Sequence, residues 1–317
     1  MDKLLQQLIP PVSVSGCEGE IAKVIRQLGV PYGEVVSDHL GNLVIHKPGN
    51  GKRIMLAAHM DTVGVVATYI EDNGFVRLGR LGGMKLLHMV GQRVKFESGV
   101  LGVICAEGDL EPKDLDESRL YIDTAGQKVE IGETAAFCQA PYFVGNTVIS
   151  NSLDNRLGCA VCLRALELLG ETDNDIFCTF TVQEEVGCRG AGPVAFTVTP
   201  DLAIAVDITG VFDYPGGKKT PLTLSGGPVV KYMDHRTISS RKISQLLEDT
   251  AKELDIPVQR YVTKQGGTDA GMIFNTRGGV PTGNLAIPIR YTHTPNEVAD
   301  LSVAEQCAKL LAAVLAK

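Results

Sequence analysis

Ile176-Phe-Cys-Thr-Phe-Thr-Val182-Gln183-Glu184-Glu185-Val186-Gly187 sets an apolar run directly against two adjacent glutamates. The run has the length and the β-branched, aromatic content of a buried strand. Successive side chains on a strand point to opposite faces, so a regular strand through 184 and 185 would bury at least one carboxylate. An unpaired buried carboxylate costs several kcal/mol unless a cation or proton compensates it. Where the strand breaks into a loop, both can aim at one site, one binding a metal and the other free as a base. On this reading, more histidines and acids stand at other strand ends.

They do. Ile54-Met-Leu-Ala-Ala58 runs into His59-Met60-Asp61, and Leu202-Ala-Ile-Ala-Val206 ends in Asp207. Leu285-Ala-Ile-Pro-Ile289 leads to Arg290-Tyr291-Thr292-His293, while Asn151-Ser-Leu-Asp154-Asn-Arg-Leu-Gly158 opens a helical pattern. In open α/β sheets, sites form outside the carboxyl ends of the strands. Singly, each residue has an ordinary explanation. Asp154 reads as a helix N-cap, His293 as a surface histidine, Asp207 as a strand end and the glutamate pair as a solvated loop entry. Their coincidence at strand ends does not. Two histidines with four acids suit a pair of hard or borderline divalent ions.

The bulk composition is that of a soluble globular protein long enough for two domains: 317 residues, 44% hydrophobic, 21% charged, net charge −7. An acidic chain without a basic run argues against nucleic acid as a partner. No apolar stretch approaches the roughly 18 residues that span a bilayer, and Met1–Pro10 lacks a signal-peptide core of adequate length. A cytoplasmic, non-membrane location is expected. Of the eight cysteines, Cys159 and Cys162 form a C-x-x-C on a helix; without a second pair, they read as buried free thiols.

Periodicity predicts a helix over 20–28, with Ser15 and Glu18 spaced as a capping box, then strands over 33–37 and 42–46. From 63 to 145 the helical rhythm gives way to short β pieces with glycine-containing turns: 65–70, 75–78, 92–96, 100–105 and 128–131, with a charged loop over 107–118. This predicts a small β-barrel domain inserted into an α/β domain made of 1–62 plus 146–317. His88, inside the insertion, reads as structural. After 146 the expected elements are helix 156–170, strands 175–182 and 202–207, a β-rich 221–231, helix 240–254, strand 283–289 and helix 302–316.

Two ions ~3.5–4 Å apart, bridged by a carboxylate, can share and activate a water and polarise a carbonyl. The bridge needs two oxygens to divide, and Asp154 is the best placed. Each ion then takes one histidine and one further carboxylate. One member of the Glu184–Glu185 pair is a ligand; the other takes the proton of the water and passes it to the leaving amine. Asp61 is placed to orient the His59 imidazole.

Six motifs carry a resemblance: Ala58-His59-Met60-Asp61, Ser152-Leu-Asp154-Asn155-Arg156, Gln183-Glu184-Glu185-Val-Gly187, Asp207, Gly266-Gly-Thr-Asp-Ala270 and Ile287-Pro-Ile-Arg-Tyr-Thr-His293. From about residue 3 to the C-terminal helix, the chain resembles metallopeptidase family forty-two. These are co-catalytic aminopeptidases that assemble as tetrahedral dodecamers. The resemblance implies an α/β/α zinc-peptidase domain of mixed sheet (phosphorylase/hydrolase-like) with an inserted barrel for dimerisation and substrate gating. It puts His59, Asp154 and Asp207 on one metal and Asp154, Glu185 and His293 on the other. Glu184 becomes the general acid/base and Asp61 the partner of His59. Two divalent ions are implied, zinc with cobalt or manganese as alternatives, together with peptide substrates and a homo-oligomer of dimers. Gly266–Ala270 lies beside the site in the family, as a pocket element or as an N-cap through Thr268 or Asp269. Thr62 departs from the family, many of whose members carry an acid there. An N-acyl amino acid deacylase could use the same metals and base, and a metal-free scaffold should have lost ligands that this chain keeps.

Overall fold

The computed structural model describes residues 1–108 and 110–317. Four parallel strands form the middle of its large mixed sheet, in the order Asp175–Thr181, Arg53–His59, Leu202–Gly210 and Thr282–Arg290. Leu43–Lys47 and Glu34–Ser37 extend it antiparallel on one side. Glu297–Asp300, Thr147–Ser150 and Tyr142–Val144 extend it on the other.

Strand alternation builds the layers. Ile54, Leu56 and Ala58 face a core shared with the helices Leu153–Leu168, Arg241–Glu253 and Leu301–Leu315. Met55 and Ala57 face a second core, packed by Ala191–Val198 and Ala270–Phe274. The architecture is therefore α/β/α, and strands buried on both faces explain the near-continuous apolar runs in the sequence.

A closed barrel of six antiparallel strands lies between Gly64 and Phe137 in the chain and has its own core around Val65, Phe96, Ile104 and Ile122. Its strands Leu120–Asp123 and Thr134–Phe137 take the place of the expected strand at 128–131, which is loop. Tyr142–Val144, inside the expected 63–145 insertion, pairs in the large sheet. The expected loop over 107–118 carries short 3-10 turns at Pro112–Asp114 and Glu117–Arg119, while Asp109 within it lies outside the described residues.

Three other expectations change. The β-rich 221–231 reduces to one strand, Val229–Met233, paired with Gln259–Val262. A helix at Asp2–Leu8 precedes the expected one, which spans Gly19–Gly29. The strand expected to end at Asp207 continues to Gly210, because Ile208–Gly210 pair with Pro288 and its neighbours. Among the described residues, no helix is long and apolar enough to cross a membrane.

Candidate metal centre

Every one of the four parallel strands sends a side chain to the same place at its carboxyl end. His59 closes its strand, Asp207 lies near the end of the next, Glu184 and Glu185 follow Thr181, and His293 follows Arg290. Gln183, at φ 57°, turns the chain into the left-handed region between the strand and the glutamates. That turn ends the strand alternation, so two neighbouring carboxylates reach one pocket. Asp154 arrives from the start of the Leu153–Leu168 helix, where its backbone is not helical. It is no N-cap: the Asn155 side chain accepts from Gly158 N at 3.1 Å instead.

Asp154 divides its two oxygens between the two histidines. Oδ1 lies 3.2 Å from His59 Nε2 and Oδ2 lies 3.2 Å from His293 Nε2. Asp207 Oδ1 is 3.6 Å from His59 Nε2, and Glu185 Oε2 is 3.2 Å from His293 Nε2. The result is two triads, His59–Asp154–Asp207 and Asp154–Glu185–His293, sharing one carboxylate. The other nitrogen of each ring is engaged. His59 Nδ1 lies 3.2 Å from the Asp61 carbonyl and 3.3 Å from its Oδ1, and His293 Nδ1 lies 2.8 Å from the Gly83 carbonyl of the barrel. Donation from Nδ1 leaves each Nε2 lone pair facing the shared carboxylate, the tautomer a metal requires.

Charge at the centre is strongly one-sided. Burial opposes a proton on His59, yet the carboxylates of Asp154, Asp207 and Asp61 hold it well above its ordinary pKa. Burial likewise opposes a charged His293, but Asp154 and Glu185 push it up to about 12. Glu185 is raised by burial and by Asp154, and its Oε1 is buried without a hydrogen-bond partner. An orphaned carboxylate oxygen within a set of imidazoles and carboxylates fits divalent cations. These donors line a cavity of about 530 Å³, whose wall also holds the cations Lys231 and Arg236.

A family model described as M42 glutamyl aminopeptidase matches residues 41–310. The chain belongs to the M42 peptidase family. A putative aminopeptidase of Acetivibrio thermocellus is 44% identical, over 98% of this chain and 97% of its own length. Among solved structures, aminopeptidase APDkam598 from Desulfurococcus kamchatkensis superposes with a TM-score of 0.95 at 33% identity, covering 99% of this chain and 94% of the other. The Pyrococcus horikoshii TET1 peptidase, which can assemble into a tetrahedron or a large octahedral shell, superposes at 0.88 with 29% identity, over 99% and 98% of the chains. Membership makes this chain a hydrolase of the aminopeptidase kind, and M42 peptidases are metal-dependent.

Several groups of the M42 centre escape a reading by spacing. Ser15 and Glu18 do not form a capping box. Ser15 Oγ donates to Asp61 Oδ2 at 2.6 Å, and Glu18 Oε1 accepts from Gly16 N at 2.8 Å and Gln183 N at 3.0 Å. Asp61 accepts in turn from Glu184 N at 3.0 Å and Glu185 N at 3.2 Å, so it positions both glutamates as well as His59. Arg156 is fully buried nearby as a countercharge to Asp61 and Glu18. Thr62 donates to Ser152 Oγ at 3.1 Å, two residues from Asp154. Cys159 and Cys162 are buried free thiols, and His88 lies in the short helix Leu86–Met89, away from the cavity wall.

Glu297 is the largest omission. It is 1% exposed, accepts from Asp154 N at 3.0 Å and His293 N at 2.7 Å, and is raised to about 8 by burial and by the charge of Asp154. Its only sequence signal was an acid heading the short strand Glu297–Asp300, which ends in a second acid. Glu297→Ala would leave the buried Asp154 N–H and the partly buried His293 N–H without partners, at about 1–3 kcal/mol for a buried donor. We expect chemical denaturation to report a loss of about 2–4 kcal/mol, with metal affinity falling by about 10–100-fold. Unchanged stability and unchanged metal content would show that Glu297 holds nothing in place.

The Gly266-Gly-Thr-Asp-Ala270 motif is a pocket element, with Gly266 and Gly267 lining the cavity. A Cβ on Gly267 would stand 2.4 Å from Arg236 Cδ, so a larger residue there would force the Arg236 side chain to move in the cavity wall. Thr268 Oγ1 accepts from Ala270 N at 3.3 Å, whereas the Asp269 carboxylate accepts from the Thr181 hydroxyl.

Proposed function

We propose that this chain removes the N-terminal residue of short peptides with two divalent ions, held by His59, Asp154 and Asp207 on one side and by Asp154, Glu185 and His293 on the other. The single observation that carries this reading is Asp154, whose two oxygens stand 3.2 Å from the two histidine Nε2 atoms. Zinc suits the donor set, with cobalt or manganese as alternatives. When bound, such ions polarise a carbonyl and lower the pKa of a water.

Glu184 is the proton carrier. Burial, reinforced by Asp207, Asp269 and Glu185, holds it well above the usual carboxyl range, against the pull of His59. A base with that affinity can take a proton from water and hand it to the departing amine. Its backbone is fixed by Asp61, and its Oε1 accepts from the Cys188 thiol at 3.0 Å. Lys231 and Arg236 complement the carboxylate end of a short peptide in a cavity of this size.

The insertion, residues 63–145 with its barrel between Gly64 and Phe137, is proposed as a dimerisation and gating unit. Its separate core and the hydrogen bond from the His293 ring to Gly83 O support this. A homo-oligomer of dimers building toward a dodecamer is proposed from the likeness to the TET1 peptidase.

The test compares an aminoacyl anilide with its N-acetylated counterpart on metal-loaded protein. Cleavage of the free amine alone is expected, and loss of that cleavage on dialysis against a chelator. Activity confined to N-acyl amino acids would replace the aminopeptidase reading by a deacylase.

A further inference from the structure

Behind Glu184 stands a second set of donors that the two triads leave over. The Cys188 thiol and the carboxylates of Glu184 and Asp269 bring ligand atoms within 4.8 Å of one another. Asp269 is 3% exposed; its Oδ2 is held by the Thr181 hydroxyl, and its buried Oδ1 has no hydrogen-bond partner. A buried carboxylate oxygen without a donor calls for a cation or a proton.

The donor types choose the cation. Sulfur beside two carboxylates suits a thiophilic ion, whereas manganese or magnesium prefers oxygen alone. Metal–sulfur and metal–oxygen bonds of ~2.3 Å and ~2.0–2.2 Å, arranged tetrahedrally, put ligand atoms ~3.5 Å apart. The present contact between Cys188 Sγ and Glu184 Oε1 is 3.0 Å, so a small opening admits the ion. Cys188 and Glu184 both line the cavity at the metal centre, which gives an entry path and a fourth position for water.

We infer that Glu184, Cys188 and Asp269 form a third site, selective for a soft divalent ion such as zinc or cadmium, whose occupation inhibits the protein. Binding releases the thiol proton to solvent, since a coordinating thiol is deprotonated outright. It also engages Glu184, which can then no longer accept a proton from water. The site stands on its own geometry; only the inhibition rests on the role proposed above for Glu184. Excess zinc or cadmium would therefore inhibit where excess manganese does not.

Protein loaded with two equivalents of zinc is titrated with cadmium while ultraviolet absorption, bound metal and aminoacyl anilide hydrolysis are followed. Neither triad contains sulfur, so a cadmium–thiolate charge-transfer band reports this site and not the other two. One further equivalent, rising with that band and with inhibition, is expected. Cys188→Ala should lose the band and the extra equivalent, and need at least ~10-fold more cadmium to halve its own starting activity. Cys188→Ser, close in size, serves the same comparison if the alanine variant folds poorly. A wild-type titration that stops at two equivalents overturns the proposal, as does a band or an inhibition curve unchanged in both variants. Failure to hydrolyse any aminoacyl substrate would defeat the aminopeptidase reading instead, and the absorption titration would still decide the third site.

Discussion

Glu184→Gln is expected to lower kcat by ~10² or more while leaving both ions bound, because a positioned acid–base group contributes roughly 10²–10⁴. The substitution is nearly isosteric and keeps the backbone amide that Asp61 accepts at 3.0 Å. None of the atoms facing the histidine Nε2 positions belongs to Glu184. Metal content by elemental analysis should therefore match the wild type, and KM should move little. The amide cannot take a proton from water at any ordinary pH, so lost kcat with intact metal isolates proton transfer from assembly. A glutamine variant as fast as the wild type would remove Glu184 from the chemistry.

Asp154→Asn should fail differently. An amide keeps one oxygen but places a nitrogen, with its two N–H donors, where the second oxygen stood. One histidine triad then loses its acceptor, and the negative charge that offsets two dications falls by one. Metal affinity should drop by more than the ~10–100-fold typical of losing a partner behind a ligand. Activity should fall with occupancy and return only in part at high metal concentration. Elemental analysis showing two full equivalents in Asp154→Asn would refute the shared-carboxylate assignment. Together the variants separate a residue that moves protons from one that holds ions.

The strand ends were readable in the sequence because apolar runs of five to seven residues stopped at His59, Glu184 and Asp207, and burial makes such stops costly. Asp207 shows the limit. Its strand continues three residues further, held by pairing with Pro288 and its neighbours, a contact between residues far apart in the chain. Ser15 and Glu18 show another. Their spacing matched a local cap, but Asp61 and Gln183 offered better partners across the fold, and local pattern cannot see them. Glu297 was hidden for the same reason, since an isolated acid gains meaning only when its neighbours are known, and Asp269 stood in its motif without any sign of its approach to Glu184 and Cys188. The barrel was legible from the loss of helical period after residue 62; its strands at 120–123 and 134–137 were not, being short and weakly patterned.

The hydrogen bond from His293 to Gly83 also orders events in time. Translation delivers His59 first, then the barrel, then Asp154, the glutamates and Asp207, and His293 last of all. A nascent chain therefore carries an incomplete pair of triads through most of its synthesis, and a product cut short before residue 293 never completes the second. The last donor of the proposed centre thus emerges when the barrel carbonyl that orients it has long been made.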